Sequence, residues 1–297
     1  MHDAPPAPGR SLTGSGLTAH PGGTLLERAL RYLESGPAES LVLARDVLGL
    51  AAAPPVVAER LAVALLGPDP RVSRDHLGHW RLALTPRIST VLDQAVFAVV
   101  DVETTGSRPA HGDRITEVAV VLVGPGARVE TACDLLVNPE RPIPPAVTRI
   151  TRITDEMVRE RPVFPEIVDQ ILSALAGRVF VAHNAQFDWR FMETEIRRAR
   201  DLKLDGPRVC TVRLARRLVP EVKHRGLDSL SRYFGVEIEP RHRAGPDALG
   251  TARILLKLLE RAAEHGAVTL DDLGHVGRQT PPRRRRSASP THIVEDP

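Results

Sequence analysis

Phe97-Ala98-Val99-Val100-Asp101-Val102-Glu103-Thr104-Thr105-Gly106 is the stretch on which the reading of this chain turns. It begins as a short, Val-rich apolar run, the pattern of a central strand in an α/β sheet. Two carboxylates then interrupt it. Strand side chains alternate between faces, so Asp101 and Glu103 project from the same one. Like charges side by side at the end of an apolar strand are costly unless a cation lies between them. A hard divalent ion that prefers oxygen ligands, such as Mg²⁺, offsets that cost. Thr104-Thr105-Gly106 turns the chain and brings hydroxyls and backbone close to the acids. Asp-x-Glu alone matches often by chance, so the neighbouring stretches decide.

Outward from this strand, a polar loop at 107–113 precedes a second apolar strand at about 114–123. Gly124-Pro125-Gly126 turns it into a third, about 127–137, giving an antiparallel meander at one side of the sheet. Helices are expected at 154–158 and 165–176. A fourth strand, 178–182, runs into His183-Asn184-Ala185-Gln186-Phe187-Asp188 and a helix over 187–200. A carboxylate just past a strand's C-terminal end is where open α/β sheets place site residues. Taken alone, Asp188 is equally explained by the helix dipole. His183 and Asn184 are expected to satisfy the backbone of the turn. A fifth strand falls at 208–211, followed by a helix to Leu218 and a short one from Leu227. His242-Arg243-Ala244-Gly245-Pro246-Asp247-Ala248 opens the last helix, to about Glu264, with Asp247 in its first turn.

Asp-x-Glu on a strand, His-Asn-Ala-x-Phe-Asp, and His with Asp five residues later resemble, in order and separation, the DEDDh family of 3′–5′ exonucleases. The resemblance spans about residues 94–265. It extends to Leu136-Val137-Asn138-Pro139, Ile153-Thr154-Asp155-Glu156-Met157-Val158 and Leu227-x-x-Leu230, and is strongest to the branch holding the epsilon proofreading subunit of bacterial DNA polymerase III and its stand-alone homologues. It implies an α/β fold: a ribonuclease H-like mixed five-stranded sheet flanked by helices. It also implies two Mg²⁺ or Mn²⁺ ions per site. Asp101 would bridge both, Glu103 and Asp247 would complete the first, and Asp188 would support the second. His242 would deprotonate the attacking water, a task an imidazole suits better than a carboxylate saturated by metal. Thr104, Thr105 and Phe187 would hold the terminal nucleotide, and nucleoside 5′-monophosphates would leave from a 3′ end of DNA, in proofreading or repair. Arg243 stands where the tyrosine variant carries its Tyr, so this is the histidine type. Arg152 stands where relatives often carry a small residue, which leaves the local loop shape open.

The remaining chain adds context. Forty basic residues against 37 acidic ones leave a net charge of +3, compatible with a nucleic-acid partner without indicating one. Cys133 and Cys210 are too few for a disulfide framework. No apolar run of membrane-spanning length and no signal-peptide layout occurs, so a soluble, cytoplasmic protein is expected, with no membrane partner. Residues 1–22 read as a disordered leader. Residues 23–90 pattern as three helices and a hairpin, a small winged-helix-like domain. Its stretch 24–90 holds eight arginines and seven acids, a net of +1, and the third helix offers only Glu59 and Arg60. That footprint is too weak for a DNA reader, and docking to a protein, a DNA polymerase or repair protein, is the favoured role. A linker around Pro86 leads to the exonuclease domain, 93–267, expected to fold with nothing before it; 268–297 reads as a disordered basic tail. The expected substrate is the single-stranded 3′ end of nucleic acid, DNA ahead of RNA; an exoribonuclease would use the same residues.

Overall fold

A computed structural model describes residues 16–21, 25–69, 71–83 and 90–276. The start of the expected leader, the linker around Pro86 and the Arg-rich run at 283–286 lie outside the described residues. In chain order the elements are β1 (Thr18–Pro21), α1 (Leu25–Leu33), α2 (Ser40–Asp46), α3 (Pro55–Leu66), β2 (Val72–Arg74) and β3 (Trp80–Leu82). There follow β4 (Phe97–Thr104), β5 (Ile115–Gly124), β6 (Arg128–Leu136), α4 (Pro145–Thr151), α5 (Asp155–Arg159), α6 (Phe164–Leu175), β7 (Val179–Ala182) and α7 (Gln186–Arg200). The last are β8 (Leu202–Asp205), β9 (Arg208–Cys210), α8 (Thr211–Leu218), α9 (Leu227–Phe234), α10 (Ala244–Glu264) and α11 (Leu270–Leu273).

The five expected strands form one mixed sheet in the order β6-β5-β4-β7-β9. The meander β4-β5-β6 is antiparallel, and β4, β7 and β9 run parallel. Strand alternation sorts the core into two layers. Ala98, Val100 and Val102 pack with Phe164, Ile171, Trp189, Phe191 and Ile196 of α6 and α7. Phe97 and Val99 pack on the other side with Ala244, Ala248, Ala252 and Leu255 of α10. The alanine stripe lets α10 lie close to β4 and β5, and so decides how near its first turn comes to the acids. Gly245 makes the same point: a Cβ there would collide with the Asp134 carboxylate of β6.

Three expectations are corrected. Residues 16–21 of the predicted leader pack beside the five-stranded sheet. Leu17 is buried in the layer of α6 and α7, its N–H donates to the Arg178 carbonyl at 2.7 Å, and its own carbonyl accepts from Gly177 at 2.9 Å. Strand β1 then pairs antiparallel with β8, which the sequence reading did not foresee. The unit built on the five-stranded sheet therefore does use chain that precedes residue 92. At the other end, 268–276 is not a tail. Thr269 caps α11, Leu273 and Val276 are buried against Leu214, Leu218 and Ile254, and the strand-like pairing of Val91 with Thr269 holds the start of the unit to its end.

Residues 25–83 pack around Leu33, Leu43, Ala62, Leu66 and Trp80. Antiparallel β2 and β3 form the hairpin, and Ala38 bridges to Trp80 beside it. Ser40 ties the parts together: its hydroxyl donates to Glu59 at 2.6 Å and accepts from the Trp80 indole at 2.9 Å. On α3, Ala58, Ala62 and Leu66 face inward while Val56, Val57, Leu61 and Val63 are exposed. Among the described residues, no helix is long and apolar enough to cross a membrane.

Candidate active site

Asp101 and Glu103 share the parity of Phe97 and Val99, so they leave the sheet on the side that α10 covers. A bulge between Glu103 and Thr104 ends the regular pairing of β4 with β5, a common device for re-aiming side chains at a site. Asp247, in the first turn of α10, arrives from above that face. Asp188, in the first turn of α7, comes round the end of β4 from the opposite layer and lies beside the backbone amides of Val102 and of Asp188 itself, which favour its charged form. Glu103, His242 and Asp247 each bring a donor atom within 4.8 Å of the other two. His242, expected as a base, thus sits at ligand range of two acids, exposed at the rim.

Electrostatics mark the same point. Burial pushes the Asp188 carboxyl up to about 8, the two amides opposing and Glu103 adding to the rise. Glu103 is pushed up to about 7 by burial and by the charges of Asp247 and Glu117. Asp101 is raised by burial and then by Asp188, Glu103 and Asp247 together. Asp247 is raised by burial, against the pull of Arg241. Four carboxyls with crowded charge, plus an imidazole, form an oxygen-rich donor set that suits a hard divalent cation.

The residues expected to hold a nucleotide are bonded within the fold. Thr104 and Thr105 are buried, and their hydroxyls are used within the loop. Thr104 donates to the Gly106 carbonyl at 2.5 Å; Thr105 accepts from the Arg114 amide at 3.0 Å. Their side chains shape the turn. Phe187 is half-buried, its ring 5.0 Å from that of Phe191. His183 bonds through Nδ1 to the Thr211 hydroxyl at 2.9 Å, which ties the turn to the start of α8 rather than to its own backbone. Arg152 adopts φ 61° at the end of α4, the left-handed conformation that glycine takes most easily, with its side chain exposed.

Two arginines and an acid were missed. Arg241 is hydrogen-bonded to Asp247 and, at 2.5 Å, to Asp228. Arg243 clamps Glu117 of β5, whose carboxylate also accepts the Ala244 amide at 2.8 Å. These bonds anchor the first turn of α10 to the strand beside Glu103. An acid inside the apolar run 115–123 was the available signal; nothing in the sequence named its partner.

Among known proteins, residues 98–255 match the exonuclease family of the RNase T type. The chain is 37% identical over 199 residues to a DNA polymerase III subunit epsilon-like protein of Rhodobacter capsulatus, covering 65% of this chain and 27% of that protein. It is 33% identical over 198 residues to the PolC-type DNA polymerase III of Bacillus subtilis, covering 66% of this chain and 14% of that one. The chain thus spans less than a third of the length of these relatives. Exonuclease I of E. coli in complex with a dT13 oligonucleotide shares the fold, at a TM-score of 0.50 and 20% identity over 58% of this chain and 42% of that one. The family match covers more than half of the sequence, and the chain that gathers Asp101, Glu103, Asp188, His242 and Asp247 at the end of one strand belongs to the RNase T family of exonucleases.

Proposed function

We propose that this protein is a metal-dependent 3′–5′ exonuclease that removes nucleoside 5′-monophosphates from single-stranded 3′ ends of DNA. The observation that carries the proposal is the meeting of four acids from β4, α7 and α10 in a space where burial and mutual repulsion raise their proton affinities. Two divalent ions, Mg²⁺ or Mn²⁺, supply when bound the charge neutralisation, water activation and leaving-group stabilisation that phosphodiester hydrolysis needs. Asp101, Glu103 and Asp247 would hold one, and Asp101 with Asp188 the other. His242 takes the proton of the attacking water at a ring nitrogen, from the exposed rim where water arrives. Phe187 offers a partly exposed ring for the terminal base, and the backbone of 104–106 approaches the sugar. DNA is favoured over RNA because the relatives at 33–37% identity are named as DNA polymerase III proteins.

The N-terminal module is proposed as a docking element for a polymerase or repair protein. Its third helix presents Val56, Val57, Leu61 and Val63 to solvent, while Glu59 is held by Ser40 and, at 2.7 Å, by Arg74. An apolar face of this kind suits a protein better than a phosphate backbone.

The test is hydrolysis of 3′- and 5′-labelled DNA and RNA oligomers side by side, with Mg²⁺, Mn²⁺ or chelator. A ladder shortening from the 3′ end of DNA, absent in chelator, is expected. Shortening from the 5′ end, or full activity in chelator, sinks the proposal; RNA degraded faster than DNA makes this an exoribonuclease.

A further inference from the structure

Arg241 belongs to none of the recognised motifs, yet its side chain lies inside the acid cluster. One nitrogen, Nη1, donates to Asp247, and Nε donates to Asp228 Oδ1 at 2.5 Å. Asp228 is in α9 and Asp247 is in the first turn of α10, so a single guanidinium bridges two helices beside the site. The other oxygen of Asp247 accepts the His242 backbone amide at 3.2 Å. Both oxygens of Asp247 therefore already have donors. The Asp247 side chain is 7% exposed and the Arg241 side chain 26%, so the contact is poorly screened by solvent. Arg241 also offsets the crowding of Asp101 and Glu103.

A guanidinium and a divalent cation on one buried carboxylate repel each other strongly where the dielectric constant is low. We propose that Arg241 is a displaceable counter-cation. It neutralises Asp247 while the site is free of metal and must release that carboxylate, keeping Asp228, for a divalent ion to bind. The inference rests on the reading of Asp247 as a metal ligand given above. Arg241 is then a positioning residue that sets the metal concentration at which the site fills. Asp228 fits the role of anchor: it is the more exposed of the two acids, at 63%, and its charged form is already favoured chiefly by its bond to Arg241.

Calorimetric titration of the full-length protein with Mn²⁺, without substrate, tests the proposal. Arg241→Gln should bind Mn²⁺ about tenfold more tightly than the wild type, the value of one charge-assisted hydrogen bond. In chelator it should melt at a lower temperature than the wild type, and the gap should close at saturating Mn²⁺. Arg241→Lys keeps the charge and loses the bidentate bridge, so its affinity should lie between the two. Equal or weaker binding by Arg241→Gln, with clear binding by the wild type, overturns the inference and leaves the metal reading intact. A Lys variant indistinguishable from wild type, beside a tighter Gln variant, also overturns it, because charge at a distance then suffices. Absence of Mn²⁺ binding in all three proteins removes the metal reading itself and the inference with it.

Discussion

Two sets of buried acids in this molecule differ in what neutralises them. Glu117 and Glu195, each with a side chain 2% exposed, have dedicated arginines. Arg243 reaches Glu117 through Nε and Nη2, and Arg114 reaches Glu195 at 2.7 Å with Arg198 at 3.5 Å. These pairs join β5 to α10 and the entrance of β5 to α7, so their charge is structural. Of Asp101, Glu103, Asp188 and Asp247, Glu103 lies directly across from Glu117 on the neighbouring strand, and Arg241 reaches only Asp247 by hydrogen bond. A buried acid with its own arginine ties elements together. A buried acid without one keeps its charge open to a cation from outside, and the fold tolerates the resulting repulsion.

The largest expected effect tests the second set. Asp101→Asn or Asp188→Asn should reduce hydrolysis to background, while the melting temperature in chelator holds or rises because one repelling charge is gone. Retained activity in either variant would break the contrast, since the open acids would then not be the chemical ones. His242→Ala comes next: kcat should fall by about 10²–10⁴-fold, the usual loss of a positioned general base. Mn²⁺ titration of the same variant separates base from ligand, a question sharpened by the closeness of His242 to Glu103 and Asp247. Unchanged affinity keeps His242 as the base; collapsed affinity makes it a ligand.

The open set was legible in the sequence and the paired set was not, for a physical reason. The open acids stand at element ends within short motifs, where strand alternation and helix starts give their direction. Glu117 and Arg243 are 126 residues apart, and Arg114 and Glu195 are 81 apart, so their pairing exists only once the sheet and helices have packed. The five sheet strands were likewise readable from apolar runs and turns. Leu17 was not: a single apolar residue among Pro, Gly and Ser carries no period, and its burial follows from a groove that the rest of the fold creates. Strand β8 pairs with that segment alone, so it was hidden for the same reason. That the hydroxyls of Thr104 and Thr105 bond within the loop was not legible either, because type and position gave no clue to it.

The paired set predicts a different failure. Glu195→Ala leaves Arg114 buried without its main partner, which typically costs about 3–5 kcal/mol. At about 2–4 °C per kcal/mol for a unit of this size, thermal denaturation should show a drop of roughly 6–20 °C. Activity measured well below the new melting temperature should persist. A Glu195→Ala protein that melts normally but is inactive would place this acid with the chemistry and dissolve the distinction.

The last prediction reads the open charge directly, through pH. In the folded protein the Asp188 carboxyl is raised to about 8, against about 3.9 for an unfolded Asp. A carboxyl whose affinity for protons rises on folding stabilises the fold most when it is neutral, below the unfolded value. That contribution is lost as pH rises through the window from about 4 to about 8. The carboxamide introduced by Asp188→Asn has no charge to acquire, and its oxygen can still face the Val102 amide. In chelator, then, the melting temperature of this variant should match that of the wild type near pH 4. It should pull ahead as pH rises and hold a constant lead above about pH 8. Acids remote from the site, such as Asp46, held down to about 2 by Arg45 and Tyr32, titrate alike in both proteins and cancel in the difference. Saturating Mg²⁺ or Mn²⁺ should reverse the order, because only the wild type keeps the full set of carboxylates for the ion to stabilise. A lead that is flat across pH 4–8 would mean that Asp188 is charged and satisfied in the metal-free protein, and it would then belong with Glu117 and Glu195.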